Sequence, residues 1–143
     1  MSEDDEQKKV VGYLKILERQ GKIITFFAPV NENKQSKTNK LMAIRLANKA
    51  KLVGKRAGVS DLVIIFKDKV LFLEMKVAPK VLKSGKLSYS NSKVSENQTL
   101  FLDKVSESFV CISDIAYGWY NAKEIIDNQI KDSKSIRNWK ELR

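Results

Sequence analysis

Two apolar runs constrain the architecture most: Gly58-Val59-Ser60-Asp61-Leu62-Val63-Ile64-Ile65 and, close behind it, Leu71-Phe72-Leu73-Glu74-Met75-Lys76. Apolar, partly β-branched runs around a short polar turn predict two neighbouring strands, over 61–66 and 70–77. Because successive side chains of a strand point to opposite faces, Glu74 and Lys76 share one face. The other face, which we expect to lie against the core, carries the alternating apolar residues Leu71, Leu73, Met75 and Val77.

The remaining periodic segments predict helices and short strands around this pair. Apolar residues at helical spacing predict helices over 3–20, 40–53, 95–107 and 121–129. Shorter apolar runs predict strands over 23–27 and 109–112. The polar segments 31–39 and 78–94 predict loops, the second of them a long mobile flap. The resulting order, α-β-α-β-β-α-β-α, predicts an α/β fold with a mixed central sheet flanked by helices.

The length of the chain predicts a single domain. A chain of 143 residues is long enough for one sizeable core and short for two. We expect the domain to span residues 1–130. The charged tail over 131–143 is expected to lie at its periphery.

Positive charge is concentrated in two segments that contain no acid. The net charge is +10, and one acid-free segment runs from Asn33 to Ser60 with the cations Lys34, Lys37, Lys40, Arg45, Lys49, Lys51, Lys55 and Arg56. The other runs from Met75 to Ser95 with the cations Lys76, Lys80, Lys83, Lys86 and Lys93. A basic field of this kind is typical of a surface that binds nucleic acid, and we expect these lysines to contact phosphates. The alternative is a solvated surface that serves solubility.

The missing residue types narrow the chemistry. The chain has no histidine, which excludes nucleases that rely on a histidine base and zinc hydrolases built on histidine clusters. The single cysteine, Cys111, lies in an apolar run, so we expect a buried thiol in a reducing compartment. No apolar run is long enough to span a membrane, and the acidic N-terminus lacks a signal-peptide pattern. These features predict a cytoplasmic protein without a membrane partner.

The charged side chains on the two central strands suit phosphodiester cleavage. That reaction needs an activated water and relief of charge in the transition state, and a divalent ion held by two carboxylates provides both. Asp61 and Glu74 are placed to share such an ion, with the Met75 carbonyl as a third oxygen ligand. Lys76 then orients the water, helps to deprotonate it, or holds a phosphate oxygen. Oxygen ligands of this kind predict Mg²⁺ or Mn²⁺.

Several segments together resemble the VRR-NUC branch of the PD-(D/E)XK nucleases. The turn from Lys55 to Leu62 is similar to the family's Gly-Val-Pro-Asp turn, with Ser60 in place of the proline. Glu74-Met75-Lys76 resembles its Glu-x-Lys strand, and Ser95-Glu96-Asn97-Gln98 resembles the Ser-x-x-Gln that opens its next helix. Pro29-Val30-Asn31-Glu32-Asn33 is similar to its Pro-Asn-Glu loop, so the resemblance runs from about Glu3 to Gln129.

This resemblance implies a metal-dependent DNA endonuclease with a restriction-endonuclease-like fold. Such proteins often act on branched DNA, such as four-way junctions or flaps, and are often homodimers when they stand alone. It implies that Asp61 and Glu74 are metal ligands, that Lys76 is the catalytic lysine, and that Gln98 supports the site. The family's first helix supplies a further glutamate, which its spacing to Gln7 assigns to Glu3, with Glu6 as the alternative.

Each candidate residue also has a purely structural interpretation. In that interpretation Glu74 and Lys76 form a solvent-facing strand pair, and Asp61 hydrogen-bonds the preceding glycine turn. Gln98 only completes a capping box, and Glu3 only favours the positive end of its helix. The aromatic residues near the C-terminus, which either stack on bases or pack the edge of the sheet, are Tyr117, Trp119 and Tyr120.

Two other classes of function remain open at this level. One is a nucleic-acid-binding module that uses the same fold without cutting. The other is a basic partner-binding protein with no role on nucleic acid. The presence of Asp61, Glu74 and Lys76 together favours the enzyme, because a degenerate copy usually lacks one of the three.

Overall fold

A computed structural model of the chain describes residues 2–29, 40–54 and 58–134. Within these ranges the chain forms four helices and six strands. They are α1 (Glu3–Arg19), β1 (Thr25–Phe27), α2 (Lys40–Leu52), β2 (Leu62–Ile65), β3 (Val70–Lys76), β4 (Lys80–Val81), β5 (Leu87–Ser88), α3 (Glu96–Val105), β6 (Cys111–Tyr117) and α4 (Trp119–Lys134). The prediction of a mixed α/β fold is confirmed.

A mixed sheet is formed in the strand order β1-β2-β3-β6. The two predicted central strands, β2 and β3, pair in antiparallel fashion, and β1 pairs with β2 in the same way. β6 returns beside β3 in parallel, with Ile115 opposite Glu74. A parallel return needs a crossover connection, and α3 lies between β3 and β6 in the chain. The crossover therefore carries α3 over one face of the sheet.

The apolar core lies on the other face, under α1 and α4. Alternation along β3 places Leu71, Leu73 and Met75 on this face, and all three are fully buried, as the sequence predicted. Val77, predicted to join them, follows the strand and is half-buried. Helical spacing brings matching side chains from the two helices onto the sheet: Val10, Leu14, Leu17, Ala122 and Ile126. Burial of a large apolar side chain contributes about 1.5–3 kcal/mol, so this face carries most of the stability.

The face under α3 is smaller and partly polar. The ring of Phe72 on β3 meets the ring of Phe101 on α3 edge-on, with centroids 5.8 Å apart. Leu102 of α3 is also buried. Glu74 and Lys76 follow Phe72 at every second position of β3, so all three side chains share one face. The polar pair is therefore enclosed between sheet and helix.

Polar contacts join the edges of α1 and α4. The Tyr13 hydroxyl donates to Asp127, and the Lys123 ammonium lies 2.7 Å from the same carboxylate. Desolvation, helped by the Asp127 charge, raises the pKa of Tyr13 to about 12. At the start of α4, the backbone N–H of Trp119 donates to the Glu6 carboxylate. A negative side chain at a helix N-terminus stabilises the helix dipole, so Glu6 helps to fix where α4 begins.

Three segments differ most from the prediction, while β1 begins only two residues later than predicted, at Thr25. Segment 78–94 is not a featureless flap, because β4 and β5 form a two-stranded hairpin within it. β6 begins at Cys111 rather than Phe109, whose side chain is fully exposed in the preceding turn, and continues to Tyr117. α4 is longer than predicted at both ends, so the first four residues of the predicted tail over 131–143 are helical.

Burial also differs from the prediction at two places. α2 begins as predicted at Lys40 and ends at Leu52, one residue early, but Leu41 and Ile44 on its apolar side are exposed. Cys111 is half-exposed rather than buried, because it opens β6 at an edge of the sheet. The predicted loop over 31–39 and the tail beyond residue 134 lie outside the described residues. None of the helices in the described ranges is long and apolar enough to cross a membrane.

Candidate active site

Glu74 and Lys76 lie side by side at the end of β3 and are both buried. Glu74 is 1% exposed and Lys76 is 9% exposed. The Lys76 ammonium nitrogen lies 3.8 Å from Glu74 Oε1. The interpretation as a solvent-facing strand pair is therefore wrong. Charged side chains are almost never buried to this extent unless they are paired. Even a buried ion pair adds little stability, because the cost of desolvation offsets the attraction, so stability alone does not explain why this pair is enclosed.

Gln98 connects the two charged side chains to the start of α3. Its amide nitrogen donates to Glu74 Oε1 at 2.7 Å, and its amide oxygen accepts from the Lys76 ammonium at 3.0 Å. The same oxygen accepts from the backbone N–H of Ser95, whose hydroxyl in turn accepts from the Gln98 N–H at 3.1 Å. The predicted capping box is confirmed. Gln98 therefore does two things: it completes the capping box of α3, and it contacts both Glu74 and Lys76.

Asp61 is held against the same strand from the β2 side. It immediately precedes β2, and its Oδ2 accepts from the backbone N–H of Met75 at 2.8 Å. This bond crosses to β3, so the alternative in which Asp61 serves only the Gly58 turn does not describe its contact. The Met75 side chain is fully buried in the core, which leaves its backbone as the only part that faces Asp61. Asp61 thus lies next to Glu74.

The glycine turn before Asp61 packs directly on α3. Gly58 has φ of +79°, and a Cβ at this position would overlap the carbonyl of Asn97 and lie 2.9 Å from the Gln98 nitrogen. Only glycine therefore allows this close approach without a shift of backbone. The turn and the helix start are pressed together, so Asp61 and Gln98 are positioned relative to each other by one contact.

The electrostatics at Glu74 are those of a carboxylate that lacks compensation. Burial, followed by the negative charge of Asp61 and a hydrogen-bond interaction with it, raises the pKa of Glu74 from its ordinary value of 4.5 to about 8. Lys76 opposes this shift without cancelling it. The buried Glu74 Oε2 finds no hydrogen-bond donor among the groups that the structure describes. A proton or a cation bound between the two carboxylates relieves both features, so the residues present fit a divalent cation.

The structure separates the two glutamates that compete for the first-helix position. Glu6 accepts a hydrogen bond from the N–H of Trp119 at the start of α4. Glu3 is near enough to Glu74 for its negative charge to contribute to the raised pKa, as the smallest of the contributions. The hydrogen bond to Trp119 thus engages Glu6 at the start of α4, while Glu3 contributes weakly to the electrostatics of Glu74. Sequence alone did not separate them, because the contact with Trp119 links opposite ends of the chain.

Glu3 does not complete a three-carboxylate cluster. Across residues 2–29, 40–54 and 58–134, no three histidine, cysteine, aspartate or glutamate side chains are arranged to hold a metal ion together. The predicted ligand set is Asp61, Glu74, the Met75 carbonyl and Glu3. Of its carboxylates, the structure places Asp61 and Glu74 next to each other.

The predicted basic and aromatic surfaces are only partly visible. The described cations of α2 are exposed: Lys40, Arg45, Lys49 and Lys51. Lys34, Lys37, Lys55 and Arg56 lie outside the described residues. Of the aromatic residues near the C-terminus, Trp119 packs edge-on against Tyr13 with ring centroids 5.5 Å apart. Tyr120 is exposed, and Tyr117 contacts Tyr89.

One supporting residue had no signal in the sequence. Ser92 is buried, and its hydroxyl donates to the carbonyl of Val77 at 2.9 Å. Val77 follows Lys76 directly, so this bond ties the segment before α3 to the end of the strand that carries the site. A serine in a polar, lysine-rich segment shows no pattern from which this contact follows.

Replacing Gln98 separates its capping role from its role at the site. We expect Gln98→Ala to lower the free energy of unfolding by about 2 kcal/mol and the rate of the predicted phosphodiester cleavage at least tenfold, because two buried charges lose a partner. Ser95→Ala removes the cap and keeps both side-chain bonds, so it should cost about 1 kcal/mol with little effect on rate. Urea unfolding and a rate assay on both variants test this. Equal loss of rate in both would show that Gln98 acts only through the helix cap.

The raised pKa of Glu74 predicts a stability that falls with rising pH. Between 4.5 and about 8 the folded protein retains a proton on Glu74 that the unfolded chain has lost. The free energy of unfolding in EDTA should therefore decrease across this window, by up to about 1 kcal/mol per pH unit. Urea unfolding at a series of pH values measures it. Glu74→Gln should flatten this dependence, whereas Glu96→Gln, at the exposed start of α3, should leave it unchanged.

Comparison of the chain with protein-family models, with curated proteins and with solved structures finds no match. The family resemblance described above therefore stays a prediction, and the function rests on the chemistry of the site.

Proposed function

We propose that this protein is a metal-dependent DNA endonuclease of the VRR-NUC type with a restriction-endonuclease-like fold. The observation that carries the proposal is the pairing of the half-buried carboxylate of Asp61 with the fully buried carboxylate of Glu74, with Lys76 tied to Glu74 through Gln98. A buried carboxylate beside a second carboxylate is costly as a purely structural feature, because like charges in a low-dielectric site repel. Such an arrangement is typical of a functional site with a charged ligand.

The proposed cofactor is Mg²⁺ or Mn²⁺, held by the carboxylates of Asp61 and Glu74. When bound, such an ion neutralises charge on the scissile phosphate and lowers the pKa of a bound water. The chain supplies the rest. The Met75 N–H fixes the orientation of Asp61, and Gln98 fixes that of Glu74. Lys76, held by the Gln98 oxygen, presents a positive charge to a phosphate oxygen or to the attacking water.

The proposed substrate is DNA. The net charge of +10 and the exposed cations of α2 favour a polyanion, and lysine contacts to phosphates bind it without reading its sequence. From the family resemblance we further propose branched DNA, such as a four-way junction or flap, as the preferred substrate, and a homodimer as the active form. A reducing, cytoplasmic location suits the single cysteine.

A non-catalytic nucleic-acid-binding module is the second candidate. The observation in its favour is that, in the described part of the chain, the carboxylate pair lacks a third ligating side chain. Against it stands the burial of Glu74 and Lys76, which a binding surface does not need.

Cleavage of a labelled panel tests the proposal. The panel holds single-stranded, duplex, flap and four-way-junction DNA, each incubated with Mg²⁺, with Mn²⁺ and with EDTA. We expect cutting that needs the metal, with the best substrate identifying the preferred structure. Binding without cutting in either metal would reject the nuclease and support the binding module.

A further inference from the structure

The hairpin formed by β4 and β5 projects from the chain directly after the site strand. We refer to residues 80–88 as the arm. Its strands pair in antiparallel register, with Lys80 opposite Ser88 and Val81 opposite Leu87. The tip is closed by backbone bonds from Leu82 N–H to the Lys86 carbonyl and from Gly85 N–H to the Leu82 carbonyl, both at 2.8 Å. The arm is therefore a hydrogen-bonded two-stranded ribbon with a defined turn.

Both stems of the arm are fastened to the end of the sheet that carries Lys76. On the ascending side, Ala78 approaches Gly118 so closely that a Cβ there would lie 2.9 Å from the Ala78 Cβ. On the descending side, the Tyr89 ring meets the Tyr117 ring edge-on, with centroids 5.1 Å apart, and Tyr117 is the register partner of Lys76. The Ser92 bond to Val77 fixes the same side. A ligand at the site therefore passes the root of the arm.

The arm presents different chemistry on its two faces. By strand alternation, Val81 and Leu87 share one face, and they are 72% and 53% exposed. Lys80 and Lys86 share the other face with Leu82, which is 48% exposed, and Lys83 lies at the tip, with all three lysines exposed. No acidic residue interrupts the arm. The ribbon thus carries cations next to an uncovered apolar pair.

An uncovered two-stranded ribbon is marginally stable in water and gains from a partner that covers it. The charge of the arm selects a polyanion as that partner. Nucleic acid offers phosphates to the lysines and the apolar parts of sugars and bases to Val81 and Leu87. The major groove of B-form DNA, about 12 Å wide, admits a two-stranded ribbon, whereas the major groove of A-form RNA is too narrow for protein side chains to enter.

We propose that the arm binds in the major groove of duplex DNA beside the site, with its lysines on phosphates and Val81 and Leu87 against base edges. This inference rests on the proposed function for the identity of the neighbouring site, but it concerns binding and can be measured without cleavage. It assigns a duplex requirement to the DNA that flanks the cleavage point. Phosphate tracking alone would leave the apolar pair without a role.

Two double variants and two controls test the arm. Lys83→Ala with Lys86→Ala removes charge, and Val81→Ser with Leu87→Ser removes the apolar pair at constant charge. Lys67→Ala and Phe109→Ser make matched changes at exposed positions by the opposite end of β3 and β6, about 20 Å away along a strand of this length. Thermal unfolding first shows that all variants fold, as expected for exposed positions.

Fluorescence anisotropy in EDTA then measures binding to DNA duplex, RNA duplex and single-stranded DNA over a range of salt. We expect each double variant to weaken DNA-duplex binding about tenfold or more, and the lysine variant alone to reduce the salt slope, by about two. Binding to RNA duplex and single strands, and the controls on DNA duplex, should change less than about twofold. An unchanged DNA-duplex affinity in the serine variant, or equal losses on all three nucleic acids, would overturn the proposal. Absence of cutting with this binding pattern intact would reject only the nuclease.

Discussion

Glu74→Ala is expected to abolish DNA cleavage, by a factor of about 1,000 or more, while DNA binding stays within about twofold of the parent protein. The factor corresponds to about 4 kcal/mol of transition-state stabilisation, which is the order of magnitude that a bound metal ion supplies. Glu74 is enclosed under α3 and 1% exposed, so its loss removes a proposed metal ligand without removing a surface contact to DNA. Single-turnover cleavage of the best panel substrate, beside anisotropy in EDTA, measures the two quantities.

Two further variants distinguish the loss of the Glu74 charge from structural damage caused by the alanine substitution. Glu74→Gln retains the shape of the side chain beside Lys76, so a loss of cutting in this variant reports the missing charge rather than a collapsed site. It should also abolish any rise in melting temperature that Mg²⁺ or Mn²⁺ gives the parent protein. Glu96→Gln removes the same charge from an exposed position on α3 and should cut normally. Retained cutting by Glu74→Gln would reject the assignment of the carboxylate pair.

Gly58→Ala is expected to destabilise the protein by about 3 kcal/mol or more, which for a domain of this size lowers the melting temperature by about 10 °C. Two costs add. The left-handed backbone at φ of +79° disfavours any residue with a Cβ, by about 1–2 kcal/mol. The new methyl group also collides with the backbone of Asn97, and backbone atoms cannot rotate away as a flexible side chain can. Thermal and urea unfolding of the purified variant provide the measurement.

Gly21→Ala is the matched control for Gly58→Ala. Its φ of +71° is similar, but no other atom lies within 4 Å of the added Cβ. It should cost only the backbone term, about 1–2 kcal/mol. Equal destabilisation by both variants would mean that the turn does not press on α3. A surviving Gly58→Ala protein should also show weaker cleavage, because the turn and α3 together position Asp61 relative to Gln98.

The parts of the fold that sequence predicted well are those with a local signal. Alternation of apolar and charged residues along 70–77 identified β3 and the shared face of Glu74 and Lys76. The Ser95 and Gln98 spacing identified the start of α3. The parts that it missed depend on distant partners. The strands of the arm contain two residues each, too few for a periodic pattern, and α4 begins earlier than predicted where Glu6 reaches it from the other end of the chain.

The same division applies to the candidate site. The residue types of Asp61, Glu74 and Lys76, and their place on neighbouring strands, followed from the sequence. The burial of Glu74 and Lys76 did not, because it is produced by α3 crossing over the sheet. The sequence also did not show that Gln98 both caps the helix and bridges the two charges. A capping box alone does not reveal what else the side chain contacts.

The parallel pairing of β3 with β6 affects the order in which the contacts of the site form during folding. Asp61, Glu74 and Lys76 precede α3 and β6 in the chain and meet in a local hairpin, whose contacts are near in sequence. Gln98 reaches them on a crossover that is secured only when β6, ending at Tyr117, has paired with β3. Such long-range pairing is the slow step in folding of mixed sheets. In a nascent chain we therefore expect the contacts of Gln98 with Glu74 and Lys76 to become stable only after the residues up to Tyr117 have emerged from the ribosome.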